Sequence, residues 1–323
     1  MTRTVADCLK SALLSVKQAP EHVENWLSLA QLQQCMSQPE LSSRSFEQAL
    51  AAAADQQRWA LYLTAAESLL ELYQHRGRSQ EFVLLCLRLL QQSELSQYGF
   101  CPETVLLKLG QFYLASGSYS VALHYLKRAL ILAEQQLDQN SCGEAHFLLG
   151  QVLRKLERQD RAESHFRQAL QIASELKQAA RMANLYSVLA RFYQQREQWQ
   201  DAQTMQAKSV EIGKLIKQQA GVASGLSNLG IVQMKQDHLK DARQSFKESL
   251  ELYRSLGNPD GEADQLTNLG ILATLDNQLD EAEQQLQQAW QHYQARGLQP
   301  RIEQVTQLLV NLAQLQKPHA TLQ

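Results

Sequence analysis

Apolar and small residues recur along this chain at a fixed interval of 40 positions. Displacing the sequence against itself by that interval aligns Leu109-Gly110, Leu149-Gly150, Leu189-Ala190, Leu229-Gly230 and Leu269-Gly270. Ala122, Ala162, Ala202, Ala242 and Ala282 form a second column. Phe46, Cys86, Leu126, Phe166, Gln206, Phe246 and Leu286 form a third; three residues on come Ala49, Leu89, Ala129, Ala169, Ser209, Ser249 and Ala289. Weaker copies stand at Leu29-Ala30, Leu69-Leu70 and Leu309-Val310. Within each copy the apolar positions follow helical spacing, and few segments alternate as a strand would.

Polar stretches separate the two apolar columns of each copy, as in Ser116-Gly117-Ser118, Glu157-Arg158-Gln159, Gln236-Asp237-His238 and Asp276-Asn277-Gln278. Each unit therefore reads as a helix–turn–helix hairpin, which buries its apolar face only against its neighbours. Seven hairpins are predicted, beginning near residues 21, 58, 102, 141, 179, 219 and 259. Met1–Gln18 reads as a leading helix and Gln299–Gln316 as a closing one. Ser42 and Phe82 replace Ala in the first two hairpins, and Tyr98-Gly99-Phe100-Cys101-Pro102 marks a seam. The expected organisation is an irregular region, 1–98, a regular array, 99–317, and a frayed tail, 318–323.

The motif set Trp26-x2-Leu29-Ala30, Leu109-Gly110-x2-Tyr113, Leu189-Ala190-x2-Tyr193, Ala162-x3-Phe166 and Ala242-x3-Phe246 resembles the tetratricopeptide repeat. The resemblance implies an all-α fold, a right-handed α-solenoid of stacked helix–turn–helix repeats. The common repeat has about 34 residues and a closing Pro. Here Glu134, Ser174, Lys214, Arg254 and Gln294 occupy the Pro site, so the second helix is expected to continue for another turn. Ser227-Asn228-Leu229-Gly230 and Thr267-Asn268-Leu269-Gly270 resemble the longer subtype found in kinesin light chains, cell-polarity adaptors and bacterial regulators.

Composition agrees: 14 Gly and 6 Pro in 323 residues leave long stretches free to be helical. A net charge of −2 supplies no global field for nucleic acid or an anionic membrane. Five cysteines, without a C-x-x-C pair, argue against a disulfide framework and for a reducing compartment. They read as small buried fillers. The broken apolar stretch near Leu13–Val16 is too short for a signal segment, and no 18-residue apolar run exists. A cytoplasmic location and a monomer are expected.

No phosphate loop, dinucleotide fingerprint, nucleophile elbow or zinc-protease motif occurs. No two of the eight histidines sit four residues apart, so no metal and no cofactor is expected. Acidic pairs such as Asp280-Glu281 fall at predicted helix starts, where the dipole favours them. Tyr113, Phe166, Tyr193 and Phe246 occupy packing positions; Trp59, Trp199 and Trp290 are expected to tuck between repeats. The chain is not expected to be an enzyme.

The family resemblance implies that the first helix of each hairpin lines a concave side. The positions of that face are Lys108 and Gln111; Gln151, Arg154 and Lys155; Asn184, Arg191, Gln194 and Gln195; Asn228 and Lys235; and Asn268. Glu144 and Asp264 are its acidic exceptions. Asn and Gln can both donate to and accept from a peptide backbone, and Arg and Lys can meet carboxylates. In related repeats, Asn at the sites of Asn228 and Asn268 grips the ligand backbone; Leu148 and Val188 replace it in two copies. The expectation is a groove from Lys108 to Asn268 that holds an extended, acidic-leaning peptide. A scaffold or adaptor, a peptide-responsive regulator and an assembly chaperone all fit that surface. The helix at residues 2–18 is too small for the effector region such regulators carry.

Overall fold

The computed structural model describes residues 4–316; the tail expected at 318–323 lies outside them. Sixteen α-helices, α1 (Val5–Gln18) to α16 (Gln299–Gln316), and one 3-10 turn (Ser93–Tyr98) make up the described elements. Seven helix pairs follow the leading helix: α2 (Val23–Cys35) with α3 (Pro39–Asp55), α4 (Trp59–Arg76) with α5 (Ser79–Gln91), α6 (Pro102–Ala115) with α7 (Tyr119–Gln135), α8 (Gln139–Lys155) with α9 (Gln159–Glu175), α10 (Ala179–Gln195) with α11 (Trp199–Leu215), α12 (Gln219–Lys235) with α13 (Leu239–Ser255), and α14 (Pro259–Leu275) with α15 (Leu279–Ala295). The 3-10 turn ends at Tyr98, where the predicted seam begins. The chain forms two compact units, Met1–Arg158 and Gln159–Gln323. The division falls in the turn between α8 and α9.

Helices α7 to α15 are each 17 residues long, so from α8 onward the second helix of a pair is no longer than the first. The helices do run through Glu134, Ser174, Lys214, Arg254 and Gln294, where a closing Pro was missing. What stops them is a left-handed residue. Ser37, Gln57, Leu137, Glu157, Lys177, Glu197, Lys217, Asp237 and Asn277 all have positive φ, at 54–63°. Gly77, Gly117, Gly257 and Gly297 do the same in the remaining regular turns. The next amide then reaches back five residues: Gln178 N donates to Ala173 O at 2.9 Å, Gln218 N to Gly213 O at 2.9 Å and Gln278 N to Ala273 O at 2.8 Å. This is a Schellman closure, and it satisfies carbonyls the helix end leaves open. A turn of this kind recurs every 20 residues, half the sequence repeat.

In unit 1 the core runs through Val23, Phe46, Tyr62, Leu69, Phe82 and Leu95. A further cluster forms around Leu106, Leu126, Ala145 and Leu149. The irregular early copies have specific compensations. Ser42 is fully buried and donates to Ala30 O at 2.8 Å. Phe82 packs on Phe112 with ring centroids 5.4 Å apart. In unit 2 the C-terminal pairs share Phe246, Leu269, Leu286 and Tyr293, and Val305 and Leu312 of α16 close that cluster. Between α11 and α12, Val210, Val222 and Leu226 are buried together.

The cysteines depart from expectation. Cys86 and Cys142 are buried, but Cys35 and Cys101 are exposed and Cys8 is half-buried. Burial pushes the Cys86 thiol up to about 12, which makes it an inert filler. Cys35 is the last residue of α2, and Cys101 caps the start of α6, so both stand at helix ends.

Candidate functional site

All twelve predicted face residues fall on first helices of their pairs. In unit 1, Lys108 and Gln111 lie on α6, and Gln151, Arg154 and Lys155 lie on α8, which packs against α6. In unit 2, α10 carries Asn184, Arg191, Gln194 and Gln195, α12 carries Asn228 and Lys235, and α14, packed against α12, carries Asn268. The sequence logic is direct: the opposite flanks of these helices hold Leu185, Leu189, Leu226, Leu266 and Leu269, all buried. Burying that apolar side turns the polar side outward.

Exposure varies. Gln111, Lys155, Asn184, Arg191, Gln195 and Lys235 are exposed, whereas Lys108, Gln151, Arg154, Gln194, Asn228 and Asn268 are half-buried. Among the described residues, Asn184, Arg191, Asn228, Lys235 and Asn268 make no side-chain hydrogen bond or ion pair. Their donors are available to a ligand. Helices α10 and α12 contain no Asp or Glu, but α10 carries Arg181 and Arg191 and α12 ends on Lys235. The carboxylates of α14 are already engaged. Asp260 meets Arg296 at 2.8 Å, and Glu262 meets Arg254 at 2.8 Å. Asp264, one of the acidic exceptions, accepts from the Tyr293 hydroxyl at 2.7 Å.

A cavity of about 320 Å³ opens where α10, α11 and α12 meet, lined by Ala183, Asn184, Ser187, Ser209, Gly213 and Ser224. Small side chains make the space. Ser209 spends its hydroxyl internally, donating to Ala183 O at 2.8 Å. Three residues before it on α11, Gln206 is fully buried, and neither its Nε2 nor its Oε1 has a hydrogen-bond partner. Sequence reasoning placed Gln206 in a packing column and missed that it carries an unsatisfied amide. Its polarity among Phe, Leu and Cys was the available signal.

The packing aromatics do more than fill space. Tyr193 donates to Glu163 Oε1 at 2.7 Å, and Arg167 donates to the Tyr193 oxygen at 2.7 Å. Arg196 approaches Glu163 at 3.2 Å. Burial, followed by the bond to Glu163, pushes the Tyr193 hydroxyl up to about 12. Burial works to raise the Glu163 carboxyl, but the Tyr193 bond and the two arginines outweigh it, and its pKa falls below the ordinary value. Trp59, Trp199 and Trp290 are half-buried, and Trp290 donates to Thr306 at 3.2 Å. Asp280 and Glu281 sit in the first turn of α15, and Glu281 also accepts from Arg243 at 2.9 Å. Burial lowers the pKa of His146. Among the described residues no cluster of His, Cys, Asp or Glu could hold a metal ion, and no helix is long and apolar enough to cross a membrane.

Comparison with known proteins gives one family. The tetratricopeptide repeat model matches residues 103–175, 181–255 and 221–295, more than half of the chain. No curated protein matches in sequence. Solved structures share the fold at low identity. The Signal Transduction ATPase with Numerous Domains from Pyrococcus horikoshii, which has a tetratricopeptide repeat sensor, superposes with a TM-score of 0.62 at 13% identity, over 95% of this chain and 47% of that one. BtubC from P. vanneervenii gives 0.50 at 17% identity, over 92% and 93%. A putative kinesin light chain repeat protein from Podosopora anserina gives 0.53 at 14% identity, over 59% and 94%.

Proposed function

We propose, from the premise that this chain belongs to the tetratricopeptide repeat family, that it is a non-catalytic, cytoplasmic scaffold or adaptor whose first-helix faces hold an extended, acidic-leaning segment of a partner protein. The observation that carries this reading is the state of the face in unit 2. Arg191 and Lys235 stand on helices without a carboxylate, and the carboxylates of α14 are spent on the protein's own groups. Asn228 and Asn268 occupy equivalent positions on adjacent helices, with amides free to pair with a peptide backbone. On α6 and α8 of unit 1, Lys108, Gln111, Gln151, Arg154 and Lys155 offer a second polar face of the same kind.

Capture of partners by the full chain from native extract, followed by mass spectrometry, identifies the segment. An Arg191→Ala, Lys235→Ala double variant then tests the face. A charge-assisted hydrogen bond contributes about 1.5–3 kcal/mol, so the pair should weaken binding by about 100-fold or more. Undiminished binding by a folded double variant, with equal loss in a variant on the opposite helix faces, assigns the partner elsewhere. A peptide-responsive regulator is the second reading, favoured by the sensor role of the Pyrococcus horikoshii relative's repeats. It predicts a change in overall dimensions on binding, measurable by small-angle scattering. An assembly chaperone predicts one dominant partner in the same capture.

A further inference from the structure

The cavity of about 320 Å³ between α10, α11 and α12 has a filled counterpart elsewhere in unit 2. Helices α10 and α11 match α14 and α15 in length and register, two copies apart. The internal contacts repeat as well. Ser209 donates to Ala183 O at 2.8 Å, and in the intervening copy Ser249 donates to Ala223 O at 2.7 Å. Asn184 therefore corresponds to Asp264, Ser187 to Thr267 and Gly213 to Tyr293.

In the α14–α15 pair the space is taken by the Tyr293 ring. Tyr293 is 2% exposed; its hydroxyl donates to Asp264 Oδ1 at 2.7 Å and lies 3.5 Å from Thr267 Oγ1. In the intervening copy Tyr253 stands at the same position, so close to the next first helix that a Cβ on Gly261 would lie 2.5 Å from its Cδ1. Gly213 removes the ring from the α10–α11 pair and leaves a cavity. The chain cannot refill it from that position without displacing a neighbour, because a Cβ on Gly213 would stand 2.9 Å from Val222 Cγ2.

The groups that would hold a hydroxyl are still present. Asn184 and Ser187 line the cavity, and neither makes a side-chain hydrogen bond among the described residues. Ala183, Ser209 and Gly213 are buried and form the floor, whereas Asn184, Gly221 and Ser224 are exposed and form an open mouth. No charged side chain lines the space. Its volume is ample for a ring, since a cavity of about 150 Å³ already holds one benzene.

We infer that this cavity binds a small free phenol, its ring over Gly213 where the other copies place tyrosine. Its hydroxyl lies at the mouth, donating to Asn184 Oδ1 and accepting from Ser187 Oγ. The orientation selects the source of the phenol. Tyr293 rises from the floor helix, so its hydroxyl points toward the mouth. A tyrosine on a partner segment would enter hydroxyl first, away from Asn184. A free phenol with only hydrogen or methyl opposite its hydroxyl has no such conflict, and the neutral lining offers a carboxylate no counter-charge. The site does not depend on the first-helix faces holding a partner segment.

The probe is p-cresol, titrated into the full chain and followed through the Gly213 and Gly221 amide signals by two-dimensional NMR. Toluene and N-acetyl-L-tyrosinamide are the comparators. Saturable shifts of both glycines by p-cresol are expected. A neutral hydrogen bond corresponds to about 2-fold to 10-fold in affinity, so toluene should bind more weakly by at least that factor. N-acetyl-L-tyrosinamide, with its backbone opposite the hydroxyl, should also bind more weakly than p-cresol. Asn184→Asp copies Asp264 and supplies a charged acceptor, so it should tighten p-cresol by about 5-fold to 10-fold and leave toluene unchanged. Asn184→Ala combined with Ser187→Ala should erase the preference for p-cresol over toluene. Neither side chain has an internal bond to lose, and thermal melts check that both variants stay folded. Absence of saturable shifts at millimolar p-cresol overturns the assignment. So does equal affinity for toluene, tighter binding of N-acetyl-L-tyrosinamide, or p-cresol affinity that neither folded variant changes.

Discussion

The ring of Phe246 lies directly against the bare backbone of Gly230. A Cβ on Gly230 would stand 2.6 Å from Phe246 Cε1 and 2.7 Å from Cδ1. Neither can yield easily, because both residues are buried within one pair, α12 and α13. Gly230→Ala should therefore destabilise the protein by about 1–3 kcal/mol, the usual cost of overpacking. Urea unfolding measures it, and a variant as stable as the parent would show that the two helices are free to part.

Gln206 occupies the equivalent of the Phe246 position one copy earlier, without the benefit. Its amide is buried and unpaired, at a site where Leu126 and Leu286 stand in other copies. Gln206→Leu should raise stability by about 1–3 kcal/mol, because it removes an unmet polar group and keeps the volume. A loss of stability in thermal melts would mean that the amide has a partner, such as a trapped water.

The left-handed turn residues are a distributed strain. A residue with a Cβ pays about 1–2 kcal/mol in that conformation, partly offset by the greater unfolded freedom of glycine. Leu137, at φ 58° and 80% exposed, and Lys217, at φ 58°, should each gain about 0.5–1 kcal/mol on replacement by Gly. Gly117→Ala, at φ 78°, should lose about 1 kcal/mol. Denaturation midpoints of the three variants check the opposite signs together.

Glu163 links stability to pH. Its folded pKa lies below the ordinary value, so its contribution is fully present above that value and is lost as pH falls through the lower folded one. Glu163→Gln should cost about 1–2 kcal/mol at neutral pH, by disrupting the bonds from Tyr193 and Arg167. The gap between parent and variant should close as the solution is acidified below the ordinary carboxylate pKa. A gap constant with pH would show that the pairing has no electrostatic content.

The sequence exposed the architecture because stacking demands the same small and large residues at the same places in each copy. Gly230, Phe246, Ala242 and their equivalents had to recur, and the seven pairs and both flanking helices followed from them. The turns were harder to read. Only Gly77, Gly117, Gly257 and Gly297 advertise their geometry, while Leu137, Glu157 or Lys217 take the same conformation with no chemical signature. The half-period of 20 residues was hidden for that reason. The polar face was legible as a set of positions, since amphipathic spacing fixes which residues turn outward.

The equal turns also bear on how such a chain can change length. Nine successive helices have the same 17 residues and are joined by three-residue turns, so the register at each helix start is the same. Excision of residues 219–258 would join Gln218, which caps α12, to Pro259, which opens α14 and is well suited to a first helical position. A recombination event at that spacing therefore removes or duplicates a whole module without rewriting either neighbour. An insertion of one residue turns the next helix by about 100°, carrying its apolar stripe away from the core. Copy number is thus the easiest property of this protein to evolve, and phase the hardest.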